Sequence, residues 1–167
     1  MAETKIKYAA DAAIAITLTG PLTAGSFRAS ALVENGTNLY VDALVGGMIG
    51  SAGTSWAAGD SVDFYLIAQY SDTDTDVGGG IGALLGNGDA AEVLDTDFVI
   101  ENLPLLHTIV PESVAVTTDQ DYHWGPVSVA RVAGVMPIAW SILVHNNATG
   151  SIDSGNLNYK GITYTTA

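Results

Sequence analysis

Three aspartates alternate at Asp72, Asp74 and Asp76. Alternating carboxylates can converge on one hard cation, and this spacing is that of the start of a calcium loop. The rest of an EF-hand is missing. Val77 stands where the loop needs its glycine, and Ala83 where it needs a bidentate glutamate. The stretch Gly78-Gly79-Gly80-Ile81-Gly82 lacks the Lys-Ser/Thr pair of a phosphate loop. It also lacks the Gly-Gly-x-Gly-x-Asp calcium repeat. Asp72, Asp74 and Asp76 therefore stand as a weak calcium candidate inside a solvated acidic loop, and no cofactor is implied.

The other reactive side chains are scattered. The three histidines are His107, His123 and His145. None sits in a Gly-x-Ser-x-Gly or His-Glu-x-x-His signature. Glu92, Asp95, Asp97 and Glu101 form a second acidic group. Paired carboxylates hydrolyse glycosides only when they flank a sugar, and proximity in sequence does not supply that geometry. Trp140 lies on the apolar face of a strand pattern and reads as core. Trp56 and Trp124 lie close to Gly59 and Gly125, near turns, and read as interface or core residues that stack on a sugar only in a minor reading. No catalytic constellation is legible, so a non-enzymatic role is expected.

Strands must position these residues. Val62, Phe64, Leu66, Ala68 and Tyr70 occupy every second position, with Asp63, Tyr65, Ile67 and Gln69 between them. That period of two places an apolar face opposite a mixed one. Trp140, Ile142 and Val144 repeat it against Ser141, Leu143 and His145. Ile14, Ile16 and Leu18 alternate with Ala15, Thr17 and Thr19, and Ile162 and Tyr164 with Thr163 and Thr165. The segment Leu39 to Val45 is rich in strand formers. Breaks fall at Thr19-Gly20-Pro21, Glu34-Asn35-Gly36, Ala58-Gly59-Asp60 and Asn146 to Gly150. Short strands bounded by such clusters predict an all-β, single-domain, jelly-roll-like β-sandwich. Residues 1–10 are expected as an extended N-terminal arm and residues 11–167 as the sandwich domain. Asp72 to Gly88 is expected as a long Gly/Asp-rich loop. Residues 90–100 read equally as strand or short helix. No amphipathic helix longer than two turns is expected.

Composition narrows the class. The 167 residues carry 18 Asp+Glu against 5 Lys+Arg, a net charge of −13, while charged residues are only 14% of the chain. Average soluble domains hold about 25%. Five cations are few for phosphate contacts, so nucleic acid is not an expected partner. With no cysteine, disulfides and thiolate chemistry are excluded. Asp11 interrupts the apolar stretch after Lys5 and Lys7, unlike a signal peptide. The run from Val127 to Val144 contains Arg131, Gly134 and Pro137 and fits a membrane helix poorly, so no membrane partner is expected. Sequons begin at Asn35 and Asn147, and nothing in the sequence points to their use.

Several segments carry a resemblance. These are Arg28-Ala29-Ser30, Asn35, the run Thr37 to Val45, and Tyr70-Ser71-Asp72 with its loop. Further on they are Gly134 to Asn146, Thr149-Gly150 and Tyr159-Lys160-Gly161-Ile162. Together they resemble small virion structural proteins of tailed bacteriophages over about two-thirds of the chain, leaving Gly78 to Asp121 uncovered. The resemblance implies an all-β protein that assembles into the virion. It does not distinguish head from tail.

The expected function is a capsid decoration, or cement, protein that oligomerises on the outer surface of the head, in a trimer for example, and stabilises it against the major capsid protein. Lys5, Lys7 and Tyr8 of the arm are the expected partner-binding residues, adding a strand to a neighbour. Trp56 and Trp124 are candidate interface residues. One alternative is a tail or baseplate component. Another is a carbohydrate-binding jelly roll for adhesion, using Trp56, Trp124 and the Asp72–Asp76 loop. Low charge suits surfaces that pack into assemblies, because interface cores are depleted in charge. Net acidity suits an outward face turned away from the genome.

Overall fold

A computed structural model describes residues 3–18, 22–51, 56–70, 90–92 (main chain only), 103–111 and 120–166. Of the described residues, 61% lie in strands, arranged as two antiparallel sheets packed face to face. The expected β-sandwich is what forms. In chain order the elements are β1 (Thr4–Tyr8), β2 (Ala12–Ile14), β3 (Phe27–Ala29), β4 (Val33–Glu34), β5 (Asp42–Ser51), β6 (Ser61–Gln69), β7 (Ala90–Glu92), β8 (Leu105–Ile109), β9 (Gln120–Ser128), α1 (Val129–Ala133), β10 (Ala139–Asn147) and β11 (Ile152–Thr166).

The first sheet runs β1-β11-β5-β9, with β2 also on β11. The second runs β7-β3-β10-β6-β8, with β4 also on β10. Each sheet is organised on one central strand. β11 takes β5 along one edge and β1 and β2 in succession along the other. β10 does the same with β6 on one side and β3 and β4 on the other.

The alternation in the sequence explains the core. Val62, Phe64 and Leu66 of β6 point between the sheets, as do Trp140, Ile142 and Val144 of β10. From the facing sheet come Ile14, Val45, Ile49, Trp124 and Leu157. Trp140 meets Tyr159 edge-on, with ring centroids 5.6 Å apart, and so ties β10 to β11. The mixed face of the second sheet is less solvated than its period suggests. Ala29, Ile67, Leu103 and Leu143 form a second small buried cluster there, flanked by Phe27 and Tyr65.

The apolar run from Val127 to Val144 is not one strand. It leaves β9, turns through the five-residue helix α1 and only then enters β10. Ser128 begins the helix, its Oγ accepting from Arg131 N at 3.0 Å. Asp42 braces it from β5, accepting from Ser128 Oγ at 2.7 Å and Ala130 N at 2.9 Å. Gly134 ends it with φ of 84°, a conformation that glycine adopts without Cβ strain. Residues 90–92, undecided in the sequence, form strand β7 against β3. The expected loop from Asp72 to Gly88 lies outside the described residues. So does most of the second acidic group, of which only the Glu92 main chain is described.

Buried polar side chains hold the connections. Asn146 is fully buried and donates from Nδ2 to Leu22 O at 2.7 Å and Gly150 O at 2.8 Å. Its Oδ1 accepts from Ala148 N. Asn35 accepts from Tyr40 N at 2.8 Å and donates to Tyr40 O and Pro137 O. Each side chain satisfies backbone groups that would otherwise be buried without partners.

Candidate assembly surface

The arm residues Lys5, Lys7 and Tyr8 fall in β1, which pairs with the chain's own C-terminal strand. The register runs from Thr4 opposite Thr166 to Tyr8 opposite Ile162. Both ends of the chain thus meet in one two-stranded antiparallel ribbon. β5 reaches β11 only as far as Asp42 opposite Ile162. Beyond that pair, Thr4–Lys7 and residues 163–166 continue as a ribbon with no third paired strand among the described residues. All five residues of β1 are exposed.

The ribbon has two different faces, because side chains alternate along a strand. One face carries Thr4, Ile6 and Tyr8 with Ile162, Tyr164 and Thr166. Ile6, Tyr8 and Tyr164 are all large, apolar and exposed. The other face carries Lys5, Lys7, Thr163 and Thr165. Lys5 approaches Glu3 at 3.6 Å, an exposed pair of small energetic value. At the foot of the ribbon Lys160 meets Asp11 at 3.0 Å. The far edge of β1 pairs with no other strand among the described residues. Natural sheets blunt such edges with short strands and lysines, or use them to bind another chain.

Trp56 and Trp124 lie inside this chain's own core. They are 5% and 7% exposed. Trp56 stacks on Tyr122 with centroids 5.2 Å apart. Trp124 packs on Phe64 at 4.5 Å and on His107 at 5.6 Å. Neither indole presents an open face for a sugar ring or a partner. Gly59 lies in a turn, but Gly125 lies within β9, against Gly46 of β5, so Trp124 is a strand residue and not the turn residue expected. Both side chains swing inward, where an indole removes a large apolar surface from water.

The histidines do not converge. His107 lies on β8 against Trp124, His123 is exposed on β9, and His145 lies flat on Phe27 with centroids 4.1 Å apart. His145 stands opposite Asp63, but Asp63 accepts from Thr108 Oγ1 at 2.7 Å. Among the described residues, no three His, Asp or Glu side chains are grouped to hold a metal. The calcium candidate Asp72, Asp74 and Asp76 lies outside the described residues. Also among the described residues, no helix is long and apolar enough to cross a membrane. The amide of Asn35 is committed to two carbonyls, whereas Asn147 is exposed at the end of β10.

Sequence reasoning singled out Lys5, Lys7 and Tyr8 but missed Ile6 and Tyr164, which complete the apolar face. Their signal was the shared alternation Thr4, Ile6, Tyr8 and Ile162, Tyr164, Thr166. No protein-family model matches this chain, and no curated protein or solved structure matches it either.

Proposed function

We propose that this chain is a non-enzymatic virion structural protein of a tailed phage. In this reading it is a decoration protein that oligomerises on the outer capsid surface and stabilises the head. The observation that carries the reading is the β1–β11 ribbon, an exposed amphipathic element with an unpaired edge and an apolar face. Such an element is suited to assembly. The residues behind the phage resemblance divide between the strands β3, β5, β10 and β11 and the segments that connect the strands. The likeness therefore concerns how the sandwich is built. A net charge of −13 supports an outward position, where acids aid solubility and repel nucleic acid.

Labelled protein imaged in intact particles is expected over the shell. Label confined to a ring at the tail would move the reading to a tail or baseplate component. Particles without label would end the virion reading altogether.

A further inference from the structure

We propose that a groove on the outer face of the first sheet binds a neutral saccharide. The inference goes beyond the proposed function and does not rest on it. The groove lies where β11, β5 and β9 run side by side, with Asn158 opposite Gly46 and Lys160 opposite Leu44. These residues alternate with Val45 and Tyr159, which turn into the core, so they face outward. The ladder between β5 and β9 shifts at Gly46, so that Gly125 and Pro126 of β9 stand against that one residue. A Cβ on Gly46 would lie 2.8 Å from Trp124 O, and one on Gly125 would lie 2.6 Å from Gly46 Cα. The close approach keeps the floor of the groove bare of side chains. The hollow holds about 380 Å³, within the roughly 300–1,000 Å³ of small-molecule sites.

The chemistry of the walls narrows the ligand. Asp11, Asn158 and Lys160 make a polar wall on the β11 side, whereas Leu44, Pro126 and the bare glycines make the floor and the far wall apolar. The Lys160 ammonium already meets the Asp11 carboxylate at 3.0 Å, so the wall is net neutral and a charged ligand would have to break the pair. The chain's charge of −13 also repels anions. β5 is paired on both sides here, by β11 and by β9, which leaves no edge for a peptide strand. A wholly apolar ligand would strip water from the carboxylate, amide and ammonium without replacing it. A pyranose meets both walls. Its C–H face covers Leu44 and Pro126, while adjacent hydroxyls on its edge donate to Asp11 and accept from Lys160 and Asn158. The indoles of Trp56 and Trp124 take no part, since both lie in the core.

The test titrates the full-length protein with glucose, galactose, mannose, N-acetylglucosamine and their disaccharides at millimolar concentration, read as shifts of amide resonances by NMR. Glucuronate and toluene serve as charged and apolar controls. At least one neutral saccharide is expected to shift Gly46, Gly125 and Asn158, and neither control to do so. D11A/K160A removes an exposed ion pair of small value to the fold, and it is expected to weaken binding at least about tenfold. N158W fills the hollow and is expected to abolish binding. Circular dichroism is expected to be unchanged in both variants, and if N158W misfolds, D11A/K160A alone decides. Failure of every neutral saccharide to shift these residues, shifts confined to other parts of the chain, or binding that survives either folded variant overturns the site. Glucuronate or toluene held in the groove as tightly as any neutral saccharide overturns the ligand class.

Discussion

Ile6 of β1 stands directly opposite Tyr164 of β11, and the two side chains are 61% and 62% exposed. A cross-strand pair of this kind contributes roughly 0.2–1 kcal/mol, and the backbone entropy of ordering the exposed arm opposes the sum over the ribbon's five pairs, so the ribbon adds little to the stability of the isolated fold. Removing residues 1–8 is expected to lower the melting temperature by less than about 4 °C, the shift of roughly 1 kcal/mol in a domain of this size. Ile14→Ala, next along the same edge of β11 but buried in the core, is expected to cost about 2–5 kcal/mol. Calorimetry on both variants checks the contrast. A truncation as damaging as Ile14→Ala would make the ribbon part of the core.

Trp140 joins the two sheets through its edge-on contact with Tyr159 and has no exposed surface. Trp140→Ala is expected to lose about 3–5 kcal/mol in urea denaturation through lost transfer energy and an unfilled cavity. That is a large fraction of the roughly 5–15 kcal/mol of a whole domain. A loss below about 1 kcal/mol would mean that the sheets are not held together there.

The strands β5 and β9 approach closely where Gly46 meets Gly125. Gly125 has φ of 90°, and a Cβ there would lie 2.6 Å from Gly46 Cα and 2.7 Å from Val45 O. Gly125→Ala therefore meets both backbone strain and a clash with main chain that cannot turn aside. It is expected to destabilise the fold strongly or prevent soluble expression. Gly36→Ala, with nothing within 4 Å of its new methyl, is expected to stay within about 0.5 kcal/mol of wild type. Equal denaturation midpoints for the two variants would contradict the close approach.

Stability should fall in two separate pH windows. Burial pushes His107 and His145 below the ordinary imidazole value of 6.5, although Asp63 partly offsets this at His145. The unfolded chain then binds more protons than the folded one just below pH 6.5, so acidification through that window favours unfolding. At Asp60, burial raises the carboxyl, but hydrogen bonds from Thr149 and Ala57 outweigh it and hold the group below 3.8. Its contribution is complete above pH 3.8 and is lost as pH falls through the folded value. Urea midpoints of H107Q/H145Q and of D60N, each read relative to wild type, separate the windows and cancel the shared acidic background. The histidine variant should flatten the upper step. The D60N deficit should shrink below pH 3.8. A deficit constant down to pH 2 would show that Asp60 carries no such linkage.

Strand positions were legible from the alternation itself, as at Val62, Phe64 and Leu66 or Trp140, Ile142 and Val144. What the alternation did not show is that the opposite face of these same strands is also covered. Ile67 and Leu143 look like members of a solvated face, yet they form a second cluster with Ala29 and Leu103. Helix α1 left no signal because five residues rich in β-branched valine carry no helical period. The ribbon was the hardest feature to read. Thr4 pairs with Thr166 at the opposite end of the chain, and strand register over such a separation leaves no local mark. For Trp56 the nearby glycine described the backbone but not where the indole would turn, and for Trp124 it described neither.

The most direct test of the decoration role is sedimentation of the purified chain with DNA-filled phage heads, beside a truncation lacking residues 2–10. Wild type should co-sediment with heads and raise their resistance to heat, while the truncated chain, still folded by circular dichroism, should remain in the supernatant. Wild-type protein that stays in the supernatant, or truncated protein that binds as well as wild type, would contradict the account.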